Sequence, residues 1–90
     1  MDIAKLIQSG AALIDVREPF EFAMGHVSNA VNIPLSNIPS IVNDLKQIEQ
    51  PVVLYCQSGN RSGMAANFLQ SQGMNEVYNG GGLRDMSPFM

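Results

Sequence analysis

Four short apolar runs constrain this chain more than any other feature. They are "AALIDV", "AVNIP", "PVVLYC" and "NEVYN", and segments with helical spacing separate them. An uninterrupted apolar run of this length fits a strand buried on both faces, the pattern of a parallel sheet. Strands that alternate with helices over short loops build such a sheet with helices packed against it. The expectation is therefore an α/β domain of three layers, spanning residues 1–90, with a central parallel sheet of four or five strands flanked by helices. At 90 residues the chain suits one hydrophobic core.

The helical segments carry their own punctuation. Asp2 is a fitting N-cap for a first helix to Ser9, and Gly10 stands at its stop. "REPFEFAMGH" has room for one or two turns, with Pro19 near the start. Apolar positions 38, 41, 42, 45 and 48 predict a helix from Pro39 to Ile48. Arg61 to Gln72 is the best helix, with Met64, Ala65, Phe68 and Leu69 as its apolar stripe and Gly73 as its stop. Met64 and Met74 read as core filler.

A net charge of -3 gives no basis for binding nucleic acid. No run approaches the roughly 20 apolar residues that cross a bilayer. The N-terminus lacks the apolar core of a signal peptide. A single cysteine excludes an intrachain disulfide. These features predict a soluble, cytoplasmic protein with no nucleic-acid or membrane partner. No cluster of His, Cys, Asp and Glu has metal-ligand spacing, so neither a metal nor a cofactor is expected.

That cysteine, Cys56, stands where the third strand gives way to the best helix. In parallel sheets ligands bind beyond the carboxyl ends of the strands. The loop "CQSGNRS" must turn sharply. Gly59 permits a backbone conformation that a side chain forbids, and Asn60 tolerates a left-handed one. A tight loop can aim the N–H groups of Gln57, Ser58, Gly59, Asn60, Arg61 and Ser62 inward as an anion nest. The helix N-terminus and the charge of Arg61 add positive potential. At its reference pKa a thiol is roughly 3% ionised at pH 7, and a pKa lower by about two raises that to roughly three quarters. The thiolate is the nucleophile. A lone cysteine ending an apolar strand is most often a small buried hydrophobe. Here the glycine, the arginine and the helix start favour a reactive thiol instead.

With these residues in view, the sequence resembles the rhodanese family. The pattern of a cysteine, four residues and an arginine is similar to that family's active-site loop. "LIDVREPFEFAMGHVSNAVNIP" resembles its first signature and "NEVYNGGGL" its closing segment. The resemblance implies a sulfurtransferase. A small anionic donor such as thiosulfate would leave its outer sulfur on Cys56 as a persulfide, and cyanide or a thiol would take it. The acceptor must come from outside, because no second thiol lies in the chain; a thioredoxin-like protein is one such acceptor. The chain departs from the family in three ways. It begins at about the first helix, without the short strand that often precedes it. Met86 stands where members often have tryptophan, and Asn29 replaces a common glycine.

Asp15 and Arg17 end the first strand on the same side as Cys56. They read as an ion pair that supports the loop, with Arg61 or Glu18 as further partners, and alternatively as a rim that steers an anion. His26 reads as a hydrogen-bonded structural residue, since an ionised thiol needs no base. Arg61 has two open orientations, toward a bound anion or back to a carboxylate. Three rivals share these residues. A sulfur carrier would serve partner proteins, and an interaction module would have no catalysis. A cysteine phosphatase resembling this family has a loop one residue longer, which disfavours it here.

Overall fold

The computed structural model describes residues 2–90. Its elements run α1 (Ile3–Gln8), β1 (Ala12–Asp15), α2 (Pro19–Ala23), β2 (Val31–Asn32), a 3-10 segment (Leu35–Ile41), α3 (Val42–Leu45), β3 (Val52–Tyr55), α4 (Asn60–Ser71), β4 (Val77–Gly81), α5 (Leu83–Met86) and a closing 3-10 turn (Ser87–Phe89). The four strands form one sheet in the order β2-β1-β3-β4, and every pair is parallel. All four of the apolar runs are strands. The α/β class and the parallel sheet follow the sequence pattern, with four strands as the count.

Side chains alternate along a strand, so each strand feeds two cores. Ile14, Val52 and Leu54 face Ile38, Val42, Leu45, Ala65 and Leu69 on one side. Leu13, Val53 and Tyr55 face Val27 and Met86 on the other, with Ile3, Leu6 and Ile7 of α1 packed against them. Cys56 continues the parity of Val52 and Leu54, which places its side chain in the first core. Met86 is fully buried in the second.

Three local expectations change. The helix expected over 39–48 is a 3-10 segment followed by one α-turn. Pro39 lies inside the 3-10 segment rather than in the first turn of a helix. The apolar positions still face inward: Ile38, Val42 and Leu45 are buried, and Ile41 and Ile48 pack against the same core. On α4 the buried stripe is Ser62, Ala65, Ala66 and Leu69. Met64 falls off that stripe and is 62% exposed, so it is not core filler, whereas Met74 does pack against the core. Asn60 is simply the first residue of α4. The left-handed turn falls on Gly59, at φ +98°, and the one described non-glycine residue with positive φ is Asn29, at +69°. Asparagine tolerates that region better than most other side chains.

The end of β4 closes against the loop after β3. Cys56 N–H donates to Gly81 O at 3.2 Å, and Leu83 N–H donates to Gln57 O at 3.1 Å. Ser58 and Gly82 form an antiparallel bridge. A Cβ on Gly82 would lie 2.6 Å from the Gln57 carbonyl oxygen, closer than real Cβ contacts come. Gly82→Ala is therefore expected to destabilise the protein by about 1–3 kcal/mol in urea unfolding. An unchanged midpoint would show that the two segments are free to separate.

Candidate active site

Cys56 is fully buried, with two N–H groups donating to its sulfur and a hydroxyl within reach of it. The Gly59 N–H donates to Sγ at 3.0 Å and the Ser62 N–H at 3.4 Å, with the Ser62 hydroxyl at 3.5 Å. The left-handed Gly59 turns its own N–H back toward the sulfur, and Ser62 reaches it from the first turn of α4. Burial pushes the Cys56 thiol up. The Ser62 hydroxyl and the N–H groups of Ser62, Gly59 and Ser58 oppose it, and the net pKa is lowered. Hydrogen bonds to the charged form thus outweigh its desolvation.

The other loop residues hold the turn. Gln57 accepts the Leu83 N–H through its carbonyl and brings its side-chain Oε1 to 3.4 Å from Arg17 Nη1. Ser58 Oγ accepts from Asn60 N–H at 3.4 Å. Arg61 turns away from the sulfur. Its two terminal nitrogens donate to the two carboxylate oxygens of Glu21 at 2.8 and 3.0 Å. Glu21 also accepts the Glu18 N–H at 2.9 Å, so one carboxylate both caps α2 and ties it to α4. The Arg61 guanidinium, followed by that N–H, holds the Glu21 carboxyl down at about 2, against an ordinary 4.5.

Asp15 and Arg17 form a separate, buried pair. Arg17 donates to Asp15 Oδ2 at 2.7 Å through Nη2 and to both carboxylate oxygens at 3.0 Å through Nε. Asp15 also accepts the Arg17 N–H at 2.9 Å. The remaining reach of Arg17 goes to Gly25 O, at 2.7 Å, and its guanidinium lies 5.8 Å from the Tyr55 ring centroid. This is the ion pair expected, without Arg61 or Glu18 as partners. Tyr55 is fully buried, accepts the Val27 N–H at 3.0 Å and has its pKa pushed up by burial to about 12. His26 stands apart from the sulfur. Its Nδ1 donates to Phe22 O at 2.9 Å, and its ring stacks on Phe22.

A pocket of about 250 Å³ opens beside the loop, lined by Arg17, Glu21, Met24, Gln57, Leu83 and Met90 among others. Asn79 was not legible as a site residue. It stands near the end of β4, where its side chain bonds Ser62, Gly59 and Gly81. Its only sequence signal is its place just before "GGG". Among the described residues no group of three or more His, Cys, Asp and Glu could hold a metal, and no helix is long and apolar enough to cross a membrane.

A rhodanese-like domain model matches residues 2–85. The chain belongs to the rhodanese-like family. It is 51% identical over 69 residues to the uncharacterized protein YqhL of Bacillus subtilis (strain 168), covering 77% of this chain and 54% of that one. It is 37% identical over 75 residues to the thiosulfate sulfurtransferase PspE of Escherichia coli (strain K12), covering 82% and 72%. The chain thus spans about half the length of the first of these relatives. Among solved structures it is similar to a rhodanese with anions from E. coli, with a TM-score of 0.78, 34% identity and coverage of 87% and 93%. Sulfurtransferases are therefore among the relatives of this rhodanese-like chain, and the parallel sheet and helices match theirs.

Two measurements probe the ion pairs. Asp15→Ala leaves a buried guanidinium without its carboxylate and is expected to cost about 3–5 kcal/mol in urea unfolding. Glu21 is held below its ordinary pKa, so its contribution is present above about 4.5 and is lost as pH falls toward about 2. The melting-temperature gap between the native protein and Glu21→Gln should accordingly be open at pH 6 and shrink on acidification through that window. A gap independent of pH would mean that the Glu21–Arg61 pair does not stabilise the fold.

Proposed function

We propose that this rhodanese-like protein moves a sulfane sulfur from a small anionic donor such as thiosulfate to cyanide or a thiol, through a persulfide on Cys56. The observation that carries the reading is the set of donors on a single sulfur at the carboxyl end of the sheet. They favour a thiolate there, and the thiolate is the attacking species. The family and the thiosulfate sulfurtransferase PspE support the same chemistry.

In the first step the Cys56 thiolate attacks the outer sulfur of thiosulfate. A sulfur–sulfur bond forms to Cys56, the bond to the sulfite sulfur breaks, and its electron pair leaves with sulfite. In the second, cyanide attacks the outer persulfide sulfur, leaves as thiocyanate and returns the thiolate. A thiolate acceptor follows the same course and becomes a persulfide itself. Neither step needs a general base or an external oxidant. The loop N–H groups suit this sequence, because the anionic charge stays on sulfur and stays close to the donors. Arg17 on the pocket wall supplies positive charge for an anionic donor, although Asp15 offsets much of it.

A second reading places the acceptor thiol on a partner protein, as in a sulfur carrier. Phe20, Met24, Met64 and Met90 are exposed by half or more. Phe20 precedes Glu21 on α2 and Met24 is the residue after that helix, Met64 lies one turn beyond Arg61, and Met90 shares the pocket wall with Met24. Exposed methionine and aromatic side chains around a site favour a protein surface over a free ion. The same persulfide serves either acceptor.

Intact mass after incubation with thiosulfate tests the reaction. A gain of one sulfur atom that cyanide removes is expected, together with a folded but inert Cys56→Ser variant. Serine keeps the size and loses the ionisable thiol. Turnover retained in Cys56→Ser would place the nucleophile elsewhere, and the absence of any sulfur gain would favour the non-catalytic interaction module.

A further inference from the structure

Ser62 has one hydroxyl proton and several acceptors. Its Oγ lies 2.7 Å from Asn79 Oδ1, 3.2 Å from Gly59 O, 3.4 Å from Gly81 O and 3.5 Å from Cys56 Sγ. The Asn79 amide has one satisfactory orientation. Its Nδ2 donates to Gly59 O at 3.1 Å, and its Oδ1 accepts the Gly81 N–H at 2.9 Å. Flipping it would set two donors against each other and two acceptors against each other. Oδ1 is therefore the acceptor, and at 2.7 Å the Ser62 hydroxyl donates to it. The same hydroxyl cannot at that moment donate to sulfur.

We propose that Asn79 is a positioning residue that holds the Ser62 hydroxyl proton while Cys56 is neutral and yields it when the sulfur becomes anionic. A neutral thiol is a weak acceptor, and in that state the short bond to Asn79 is the better one. A thiolate or persulfide anion is a much stronger acceptor, since bonds to ionised groups are roughly twice as strong as neutral ones. The hydroxyl then rotates to Sγ, and Asn79 Oδ1 keeps the Gly81 N–H. No proton leaves Ser62 and no bond between heavy atoms changes. Ionising Cys56 thus costs one Ser62–Asn79 hydrogen bond, which the new bond to sulfur replaces. The inference rests on Cys56 as the ionising nucleophile of the proposed sulfur transfer.

The position of Asn79 makes this testable. Ser62 is buried, but Asn79 itself is exposed, so replacing it leaves no cavity. Ser62→Ala and Asn79→Leu replace none of the charged and titratable side chains on the elements packed about the loop. These are Asp15 and Arg17 at the end of β1, Glu18 and Glu21 at α2, Arg61 on α4, Tyr55 on β3 itself and Asp85 on α5. On β4, Tyr78 pairs in register with Val53 and so lies on the opposite face of the sheet from Asn79.

The experiment is a titration of Cys56 by ultraviolet thiolate absorbance in four proteins: native, Asn79→Leu, Ser62→Ala and the double variant. Leucine fills the space and accepts nothing, so the neutral state loses its bond and the midpoint should fall by about half a pH unit. In the Ser62→Ala background the same substitution should have no effect, because the proton it competed for is gone. A rise or no change in Asn79→Leu, or an equal fall in both backgrounds, overturns the proposal. Asn79→Asp is the second variant and covers the case in which leucine prevents folding. Its stronger acceptor should raise the midpoint, and by more with Ser62 present than in the Ser62→Ala background. A loss of loop structure alone would move Leu and Asp variants in one direction. If the titrations follow these signs but native protein gains no sulfur from thiosulfate, the sulfurtransferase reading fails and the role of Asn79 stands.

Discussion

The contact between the loop after β3 and the end of β4 holds the site together. Cys56 gives its N–H to Gly81 O, and Leu83 gives its N–H to Gln57 O. Gly82 meets the Gln57 carbonyl where no Cβ would fit. These contacts fix the start of the turn, Gly59 supplies the left-handed residue, and α4 starts directly after it. The N–H groups of Gly59 and Ser62 are then aimed at one atom without any further adjustment. Preorganised donors of this kind stabilise charge without a cost of reorientation at the moment it forms.

Two arginines near the loop are each paired with a carboxylate rather than with the sulfur. Arg17 is neutralised by Asp15 in a buried pair that also reaches Gly25 O, so it fastens β1 to the segment after α2. Arg61 is neutralised by Glu21 and fastens α2 to the first turn of α4. Each pair ties a different wall to the loop. The stabilisation of the thiolate therefore falls mainly to neutral donors. The hydroxyl of Ser62 and its partner Asn79 connect that donor set to β4.

The strands were legible because continuous apolar runs bounded by turn residues have few other uses. The cysteine loop was legible because a thiol, a glycine and an arginine at that spacing are unusual after a buried strand. The helix over 39–48 was read from apolar spacing and from Pro39 as a first-turn residue. The same positions face inward on the 3-10 segment and the single α-turn that follow one another here. Met64 was assigned to the stripe of α4 because a sequence window cannot say where a stripe is centred. The packing against β3 and β4 centred it on Ser62, Ala65 and Leu69. Asn79 carried only its place before "GGG" as a signal, since the partners that tie it to the cysteine loop and α4 lie 17 and 20 residues away.

The sequence by itself determined the α/β class, the parallel sheet, the place of Cys56 at a strand end and the family. Each of these follows from local pattern: run length, parity, turn chemistry and motif. Tertiary structure decided which carboxylate each arginine meets and which atoms surround the sulfur. Arg61 had two open orientations along the chain, and Glu21 lies 40 residues from it. Ser62 had no assigned acceptor until β4 arrived beside α4. Pairings of that kind depend on distances across the sheet, which the order of residues does not contain.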